Sequence, residues 1–226
     1  GRRARQVIAA AKRFGIEGYK VNGAGGAGGS VTLLMKSGTT GKHAMIEAIA
    51  DRAATFCFPL VIDPVMISKH GAPLLPADAI ETLRHNLLPR ALLVTPNLHE
   101  AAVLAQRPVT DLASMVEAAR AIADLGPKNV LLKGGRLGDQ SVDLLWSNGQ
   151  AHEFLSDYIE TRSIHGTGCV YSAAITARLA AGEPLVDAVQ AAKHFVTRAI
   201  GTAAALGHGY GPINIHAPIE DMCDRR

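Results

Sequence analysis

The chain has 226 residues, of which 48% are apolar and 4% aromatic, and its formal net charge is +3. This length favours one α/β domain with a sizeable core, and the small, scattered charge gives no reason to expect a nucleic-acid partner. No run of about 18 apolar residues suggests a membrane span, and three widely separated cysteines favour a reducing cytoplasm over a disulfide framework: Cys57, Cys169 and Cys223.

The first quarter of the chain mixes helical and loop patterns. Helical periodicity predicts a helix over Gln6–Phe14, and the Gly/Ala run of Asn22–Ser30 predicts a flexible loop. These glycines are also compatible with phosphate binding, although no helix signal follows them closely. A short strand is expected at Val31–Lys36, then a turn at 38–41 and a helix over Lys42–Phe56.

Strands and helices then alternate through the central region. That alternation predicts a mostly parallel sheet with helices on both faces. The predicted strands are Leu60–Ile62, Leu92–Val94 and Val130–Lys133, the last running into Gly134-Gly135, and the predicted helices start at Pro76 (to about Leu88), His99 (to Ala105) and Leu112 (to Leu125).

The C-terminal part begins with a hairpin signal. Val142–Trp146 and His152–Leu155 flank Asn148-Gly149, the pair of residues most typical of a tight β-turn. Two helices are expected after it, Cys169–Ala181 and Pro184 to about Ala204. Without an internal repeat or a linker, residues 1–226 are interpreted as a single domain.

A glycine-rich loop opens the first of these two helices. Gly166 and Gly168 permit unusual backbone angles, and the free amides and the dipole at a helix N-terminus favour an anion, most often phosphate. Cys169 lies in the same field, which predicts a lowered pKa for its thiol. The structural alternative is a helix with a flexible entry and a buried packing cysteine.

Polar residues also follow each predicted parallel strand. Because ligands bind beyond the carboxyl ends of such strands, we expect Asp63, Thr95–Asn97, Gly134-Gly135 and the 166–169 loop to converge. Asp63 is a candidate Mg²⁺ ligand, partly through water, or else a turn residue before Pro64.

Two further residues of this set carry competing interpretations. Glu100 is a candidate for the same Mg²⁺ shell, but with Asn97 it equally forms the pattern of a helix capping box. Lys133 follows a buried strand, where a charge must be paired. A phosphate partner would account for it, and a surface position is the alternative.

The ordered motifs resemble those of the hydroxymethylpyrimidine kinase / phosphomethylpyrimidine kinase family, a branch of the ribokinase-like superfamily that acts in thiamine biosynthesis. The resemblance covers roughly residues 36–212, and several ordered motifs are far more specific than any single one. The segments that carry it are Asp63-Pro64-Val65-Met66, Thr95-Pro96-Asn97-Leu98-His99-Glu100-Ala101, Leu132-Lys133-Gly134-Gly135, His165-Gly166-Thr167-Gly168-Cys169 with Ser172-Ala173-Ala174-Ile175, and Leu206-Gly207-His208-Gly209.

The resemblance implies a ribokinase-like fold, ATP and Mg²⁺ as cofactors, a small pyrimidine substrate and a homodimer. Asn97 and Glu100 resemble the superfamily's metal-and-phosphate motif, and Cys169 resembles the family's base toward the substrate hydroxyl. By position in these motifs, the implied site residues are Gly166, Thr167, Gly168 and Cys169 for catalysis, Asn97, Lys133, Gly134, Ala192 and Phe195 for the nucleotide, Asp63 and Glu100 for the metal, and Val65 and Thr39 for the substrate.

Several features depart from the family pattern. Residues 38–41 are Gly-Thr-Thr-Gly where the family has Gly-Met-Leu-Gly, so Thr39 replaces the methionine that packs on the pyrimidine. Residues 1–30 are expected to be atypical or incomplete, because the family's first strand, its Gly-rich turn and a glutamine contact to the pyrimidine have no counterpart. Ala192 and Phe195 also fit an ordinary core face. A pyridoxal-type kinase and a catalytically impaired nucleotide-binding or regulatory relative are therefore alternatives.

Overall fold

The computed structural model describes residues 2–14, 16, 18–22, 30–34, 41–67, 73–204 and 208–217. Helices and strands alternate through most of this part of the chain. The helices are α1 (Arg2–Lys12), α2 (Lys42–Ala53), α3 (Ala77–Thr82), α4 (Leu98–Ala105), α5 (Leu112–Ala123), α6 (Thr167–Ala180) and α7 (Leu185–Gly201). The strands are β1 (Gly18–Asn22), β2 (Ser30–Leu34), β3 (Val61–Ile62), β4 (Leu93–Val94), β5 (Asn129–Leu137), β6 (Gln140–Ser147) and β7 (Gln150–Asp157).

The central sheet has five strands in the order β3-β4-β5-β6-β7. The first three are parallel, and β6 and β7 then add as antiparallel neighbours. The turn between β6 and β7 is the predicted one, with positive φ angles of 51° at Asn148 and 76° at Gly149, as a tight hairpin turn of type I′ requires. The predicted parallel core followed by a hairpin is confirmed.

Helices cover both faces of this sheet, as the alternating sequence pattern predicts. On one face, Val94 and Leu132 pack in a cluster with residues of α2, α4 and α5. On the other, Leu93 and Leu131 pack in a second cluster with residues of α6 and α7. Neighbouring strand residues thus point into opposite layers, and no helix within the described ranges is long and apolar enough to cross a membrane.

The N-terminal part differs from the sequence interpretation. Helix α1 begins at Arg2 instead of Gln6, and β1 is a strand that the sequence did not indicate. It pairs antiparallel with β2, with Asn22 opposite Ser30. Both ends of the predicted loop Asn22–Ser30 are therefore paired strand residues, and the rest of that loop lies outside the described residues, as does Thr39.

Two predicted boundaries shift for identifiable reasons. Pro76 precedes α3 as its N-cap, because its ψ of 162° is extended, and the helical path continues beyond α3 as a π-turn over Leu83–Leu87. Strand β5 does not end at Gly134-Gly135 but continues to Leu137. Antiparallel pairing with β6 extends it, across a register shift between Leu132 and Gly135.

Candidate active site

Side chains from the carboxyl ends of neighbouring parallel strands meet at one edge of the sheet, as expected. Asp63 follows β3, Thr95 follows β4, and Lys133 lies on β5 beside Asn97 through a parallel bridge. Lys133 Nζ is 2.7 Å from Asp63 Oδ1, and the two side chains are 10% and 18% exposed. The partner of the buried ammonium is therefore a carboxylate, which neither sequence interpretation of Lys133 included.

Ser172 on α6 connects these groups. Its Oγ lies 3.1 Å from Asp63 Oδ2 and 2.9 Å from Thr95 Oγ1. It also accepts a hydrogen bond from Lys133 Nζ at 3.3 Å, and it lies 3.0 Å from the Gly168 carbonyl oxygen. One hydroxyl thus joins the ends of β3, β4 and β5 to the first turn of α6.

The first turn of α6 lies directly over Lys133. Gly166 is the helix N-cap, with φ of 85°. Because glycine has no side chain, it forms no capping hydrogen bond. A Cβ added at Gly168 would lie 3.3 Å from Lys133 Nζ, so the glycine permits this close approach. The free amides at the start of α6 and the Lys133 ammonium thus lie close together, and each favours a nearby anion.

Cys169 lies in this turn but is exposed at the surface. Partial desolvation of the thiol raises its pKa, and the negative charge of Asp63 raises it further. The positive charge of Lys133 offsets this rise only in part. The predicted lowering of this pKa is wrong. Solvent reaches the thiol, yet the protein atoms around it remove part of its hydration, and the charges of Asp63 and Glu100 further disfavour the thiolate.

Asn97 and Glu100 form a complete capping box at the start of α4. Asn97 Oδ1 accepts from the Glu100 amide and Glu100 Oε2 accepts from the Asn97 amide, both at 2.9 Å. Glu100 Oε1 accepts from the Met66 amide at 3.3 Å. Glu100 is 2% exposed, and this burial raises its pKa to about 7.

The carboxylates of this region fit a magnesium ion held largely through water. No group of three or more His, Cys, Asp or Glu side chains able to hold a metal occurs in the described ranges. Mg²⁺ in phosphate-transfer sites commonly uses one or two carboxylates, with waters and phosphate oxygens as its other ligands. Asp63 and Glu100 each retain oxygen lone pairs beyond the hydrogen bonds described above.

Gly134 follows Lys133 at the register shift of β5. Its φ is 48°, a left-handed conformation that glycine adopts without strain. Its amide donates to Asp143 Oδ1 on β6. The structure thus places Gly134 at a β-bulge next to the buried lysine, within the strand that the sequence predicted to run into Gly134-Gly135.

The remaining predicted residues have different surroundings. Val65 is 49% exposed beside Met66. Ala192 is fully buried in the second hydrophobic cluster and Phe195 packs against it, which is the core arrangement that the sequence left open. The nucleotide role of these two residues and the substrate roles of Val65 and Thr39 stay predictions.

Sequence reasoning assigned no role to Ser172 or Asp143. Ser172 lies four residues after Gly168, which places the two on one helix face. This spacing could have indicated that Ser172 lies near the glycine loop. Asp143 alternates with apolar neighbours on β6, and its buried position became evident only from the pairing of β6 with β5.

Comparison with curated proteins finds close relatives. The chain is 42% identical over 187 residues to hydroxymethylpyrimidine/phosphomethylpyrimidine kinase of Synechococcus elongatus, covering 82% of this chain and 71% of that protein. It is 43% identical over 195 residues to the thiamine biosynthesis bifunctional protein of Geobacter sulfurreducens, covering 85% of this chain. The match spans 40% of the length of that bifunctional relative.

Solved structures give the same grouping. Phosphomethylpyrimidine kinase from Clostridium difficile 630 superimposes with a TM-score of 0.63 at 27% identity, covering 87% of this chain and 92% of that one. The ADP complex of Bacillus subtilis pyridoxal kinase superimposes with a TM-score of 0.71 at 27% identity, covering 94% and 91%. The family model for phosphomethylpyrimidine kinase matches residues 31–214, and the chain belongs to the phosphomethylpyrimidine kinase family.

Proposed function

We propose that the protein transfers the γ-phosphate of ATP to 4-amino-5-hydroxymethyl-2-methylpyrimidine and to its monophosphate, with Mg²⁺, in thiamine biosynthesis. The observation that carries this proposal is the position of Gly168 over the Lys133 ammonium, beside Asp63. Helix amides close to a buried cation suit a transferring phosphoryl group, which needs positioning and charge stabilisation more than covalent chemistry.

Each group has one proposed task. The amides at the start of α6, around Gly166, Thr167 and Gly168, bind the phosphate, and Lys133 opposes its negative charge. Asn97 and Gly134 border the nucleotide's phosphates, and Ala192 and Phe195 lie on the helix nearest the adenine. Asp63 and Glu100 hold the Mg²⁺ through its waters, and the ion supplies charge neutralisation at the phosphate oxygens when bound.

Cys169 is proposed as the base. The substrate hydroxyl oxygen forms the new bond to phosphorus, the bond from phosphorus to the ADP oxygen breaks, and the hydroxyl proton passes to the Cys169 thiolate. Because the pKa of this thiol is raised, the thiolate is the minor form at neutral pH. The rate should therefore rise with pH until the thiol has titrated.

The comparisons favour the pyrimidine over pyridoxal as substrate. The curated relatives named as hydroxymethylpyrimidine/phosphomethylpyrimidine kinases are 39–44% identical to the chain. The solved structures do not separate the two substrates, because the Clostridium difficile phosphomethylpyrimidine kinase and the Bacillus subtilis pyridoxal kinase are both 27% identical to it. The Bacillus subtilis pyridoxal kinase has a similar backbone, with a TM-score of 0.71, but only 27% sequence identity. These structures therefore support the common phosphate-transfer frame, and pyridoxal is the alternative substrate.

A substrate panel with a matched variant tests this function. Wild-type protein with ATP and Mg²⁺ should phosphorylate the pyrimidine alcohol and its monophosphate with a higher kcat/KM than pyridoxal. Cys169→Ala should lower turnover by about 10²- to 10⁴-fold, with ATP affinity nearly unchanged, because the amides and Lys133 remain.

Two outcomes would contradict the proposal. Faster turnover of pyridoxal by the wild type would reverse the assignment of the substrate. Near-normal turnover by Cys169→Ala would remove Cys169 from the reaction. Cys57→Ala is the control, because Cys57 is also exposed but lies between α2 and β3, and this variant should retain full activity.

A further inference from the structure

A buried ion pair lies behind the candidate site and takes no part in the proposed reaction. Lys193 Nζ on α7 is 2.8 Å from Asp143 Oδ2 on β6, and the side chains are 5% and 3% exposed. Lys193 also donates to Ser141 Oγ at 3.1 Å. Desolvation offsets much of the attraction in such pairs, and apolar residues of similar volume often stabilise a fold equally well. Stability alone therefore does not account for this pair.

The other oxygen of Asp143 explains its position. Asp143 Oδ1 accepts the hydrogen bond of the Gly134 amide. The β5–β6 register shifts between Leu132 and Gly135, so the extra residue of the bulge is displaced from the regular ladder. Gly134 is itself exposed, but its amide is directed at the buried Asp143 side chain, and the carboxylate accepts its hydrogen bond.

The bulge lies next to the lysine that points into the candidate site. Lys133 donates its amide to the Pro96 carbonyl at 2.8 Å, while its Nζ reaches Asp63 at 2.7 Å. A bulge bends its strand and changes the direction of adjacent side chains. The conformation of Gly134 therefore influences where the Lys133 ammonium lies.

We infer that Asp143, held in place by Lys193, is a positioning residue that fixes the bulge at Gly134 and thereby directs Lys133 toward the phosphate. The inference rests on the proposed function only for its kinetic consequence. Its structural part is independent: a charge on β6, anchored from α7, sets the backbone beside the site. Carboxylate acceptors of amides form stronger hydrogen bonds than neutral ones, which suits a role in fixing geometry.

The principal test replaces the pair by apolar residues of similar length, in the double variant Asp143→Leu/Lys193→Met. Removal of the ion pair itself often costs little stability, but the Gly134 amide loses its acceptor. The variant should therefore stay folded and unfold at a somewhat lower denaturant concentration than the wild type. We expect the KM for ATP to rise roughly 10- to 100-fold, as for the loss of a supporting residue. The KM for the pyrimidine should change less than about threefold, because the bulge lies on the phosphate side.

The control is Glu183→Gln, which removes a second ion pair. Arg178 Nη1 lies 2.9 Å from Glu183 Oε2 at the far end of α6, away from Gly134. Both KM values should stay within about twofold, since the change tests only the loss of a helix-end ion pair. If the Asp143–Lys193 pair were purely structural, the double variant would also keep both KM values, and only its folded fraction would fall.

A second measurement follows the Gly134 amide directly by ¹⁵N–¹H NMR, without substrate. In the double variant and in Asp143→Asn, its proton resonance should move to higher field, because the charged acceptor is gone.

A folded double variant with wild-type ATP affinity overturns the inference. If the double variant does not fold, an unchanged Gly134 resonance and ATP dissociation constant in Asp143→Asn overturn it. Wild type without pyrimidine turnover refutes the proposed function alone, since ATP binding and the resonance remain measurable.

Discussion

Replacing Gly168 with alanine perturbs the proposed phosphate site by a single methyl group. The added Cβ would lie 3.3 Å from Lys133 Nζ and 3.7 Å from its Cε. Favourable carbon contacts lie near 3.5–4.0 Å, so the ammonium must move by a few tenths of an ångström. It is already held by Asp63 at 2.7 Å and by Ser172 at 3.3 Å, and the movement loosens these contacts.

The effects on stability nearly cancel. Alanine in place of glycine in a helix stabilises by roughly 0.5–1 kcal/mol. A weakened hydrogen bond to a charged group costs on the order of 1 kcal/mol. We therefore expect Gly168→Ala to have a free energy of unfolding within about 1 kcal/mol of the wild type. Its kcat/KM for ATP should fall roughly 10- to 100-fold, because a small displacement of a positioned charge has a large effect on transfer.

Urea unfolding and steady-state kinetics measure the two effects separately. Gly166→Ala is the control for the unfolding measurement alone, because φ is 85° there and an added Cβ meets no atom within 4 Å. That variant should lose about 1–2 kcal/mol of stability through backbone strain, with no collision at Lys133. Wild-type kcat/KM in Gly168→Ala would refute the reasoning, and so would a stability loss as large as that of Gly166→Ala.

Two further substitutions address the helix caps. Glu100→Gln should raise the Mg²⁺ concentration for half-maximal activity, because it removes a charge near the metal; lower stability with unchanged metal dependence would leave only the capping role. Asp111→Ala should lower the urea midpoint at pH 7, because Asp111 Oδ1 caps α5 by accepting from the Ser114 amide. This bond lowers the pKa of Asp111, so its charge-dependent contribution is present above the unfolded-state pKa and the difference between the proteins should shrink as pH falls through the lowered pKa. A difference that is as large in acid as at pH 7 would contradict this explanation.

The sequence predicted the sheet and its helices well because the signals were local. Strand–helix alternation and the Asn148-Gly149 turn are each readable within a few residues, and both describe the observed fold. Strand β1 was missed although Tyr19 and Val21 alternate with Lys20 and Asn22, because so short a segment is a weak signal by itself. Its partner β2 lies beyond a glycine-rich segment, so the pairing is a tertiary effect.

Within the site, single motifs were predictable and their mutual contacts were not. The sequence identified Asp63, Lys133 and the glycine loop, but it could not indicate that Asp63 neutralises Lys133, since that contact joins residues 70 positions apart. The prediction of a lowered pKa for Cys169 was wrong for the same reason. The helix field is evident from the sequence, whereas burial and the charge of Asp63 appear only in the folded chain.

The sequence pattern around Glu100 fits both helix capping and metal binding, and the structure is compatible with both. The capping box uses one lone pair on Oε2, and the Met66 amide uses one on Oε1, which leaves each oxygen able to accept another donor, including a metal-bound water. Burial raises the pKa of Glu100 to about 7 although Lys133 opposes the shift, so this carboxyl is only partly ionised at neutral pH. A cation nearby favours the charged form. Helix capping and metal binding are thus compatible, and the same carboxylate links the start of α4 to the charge state of the phosphate site.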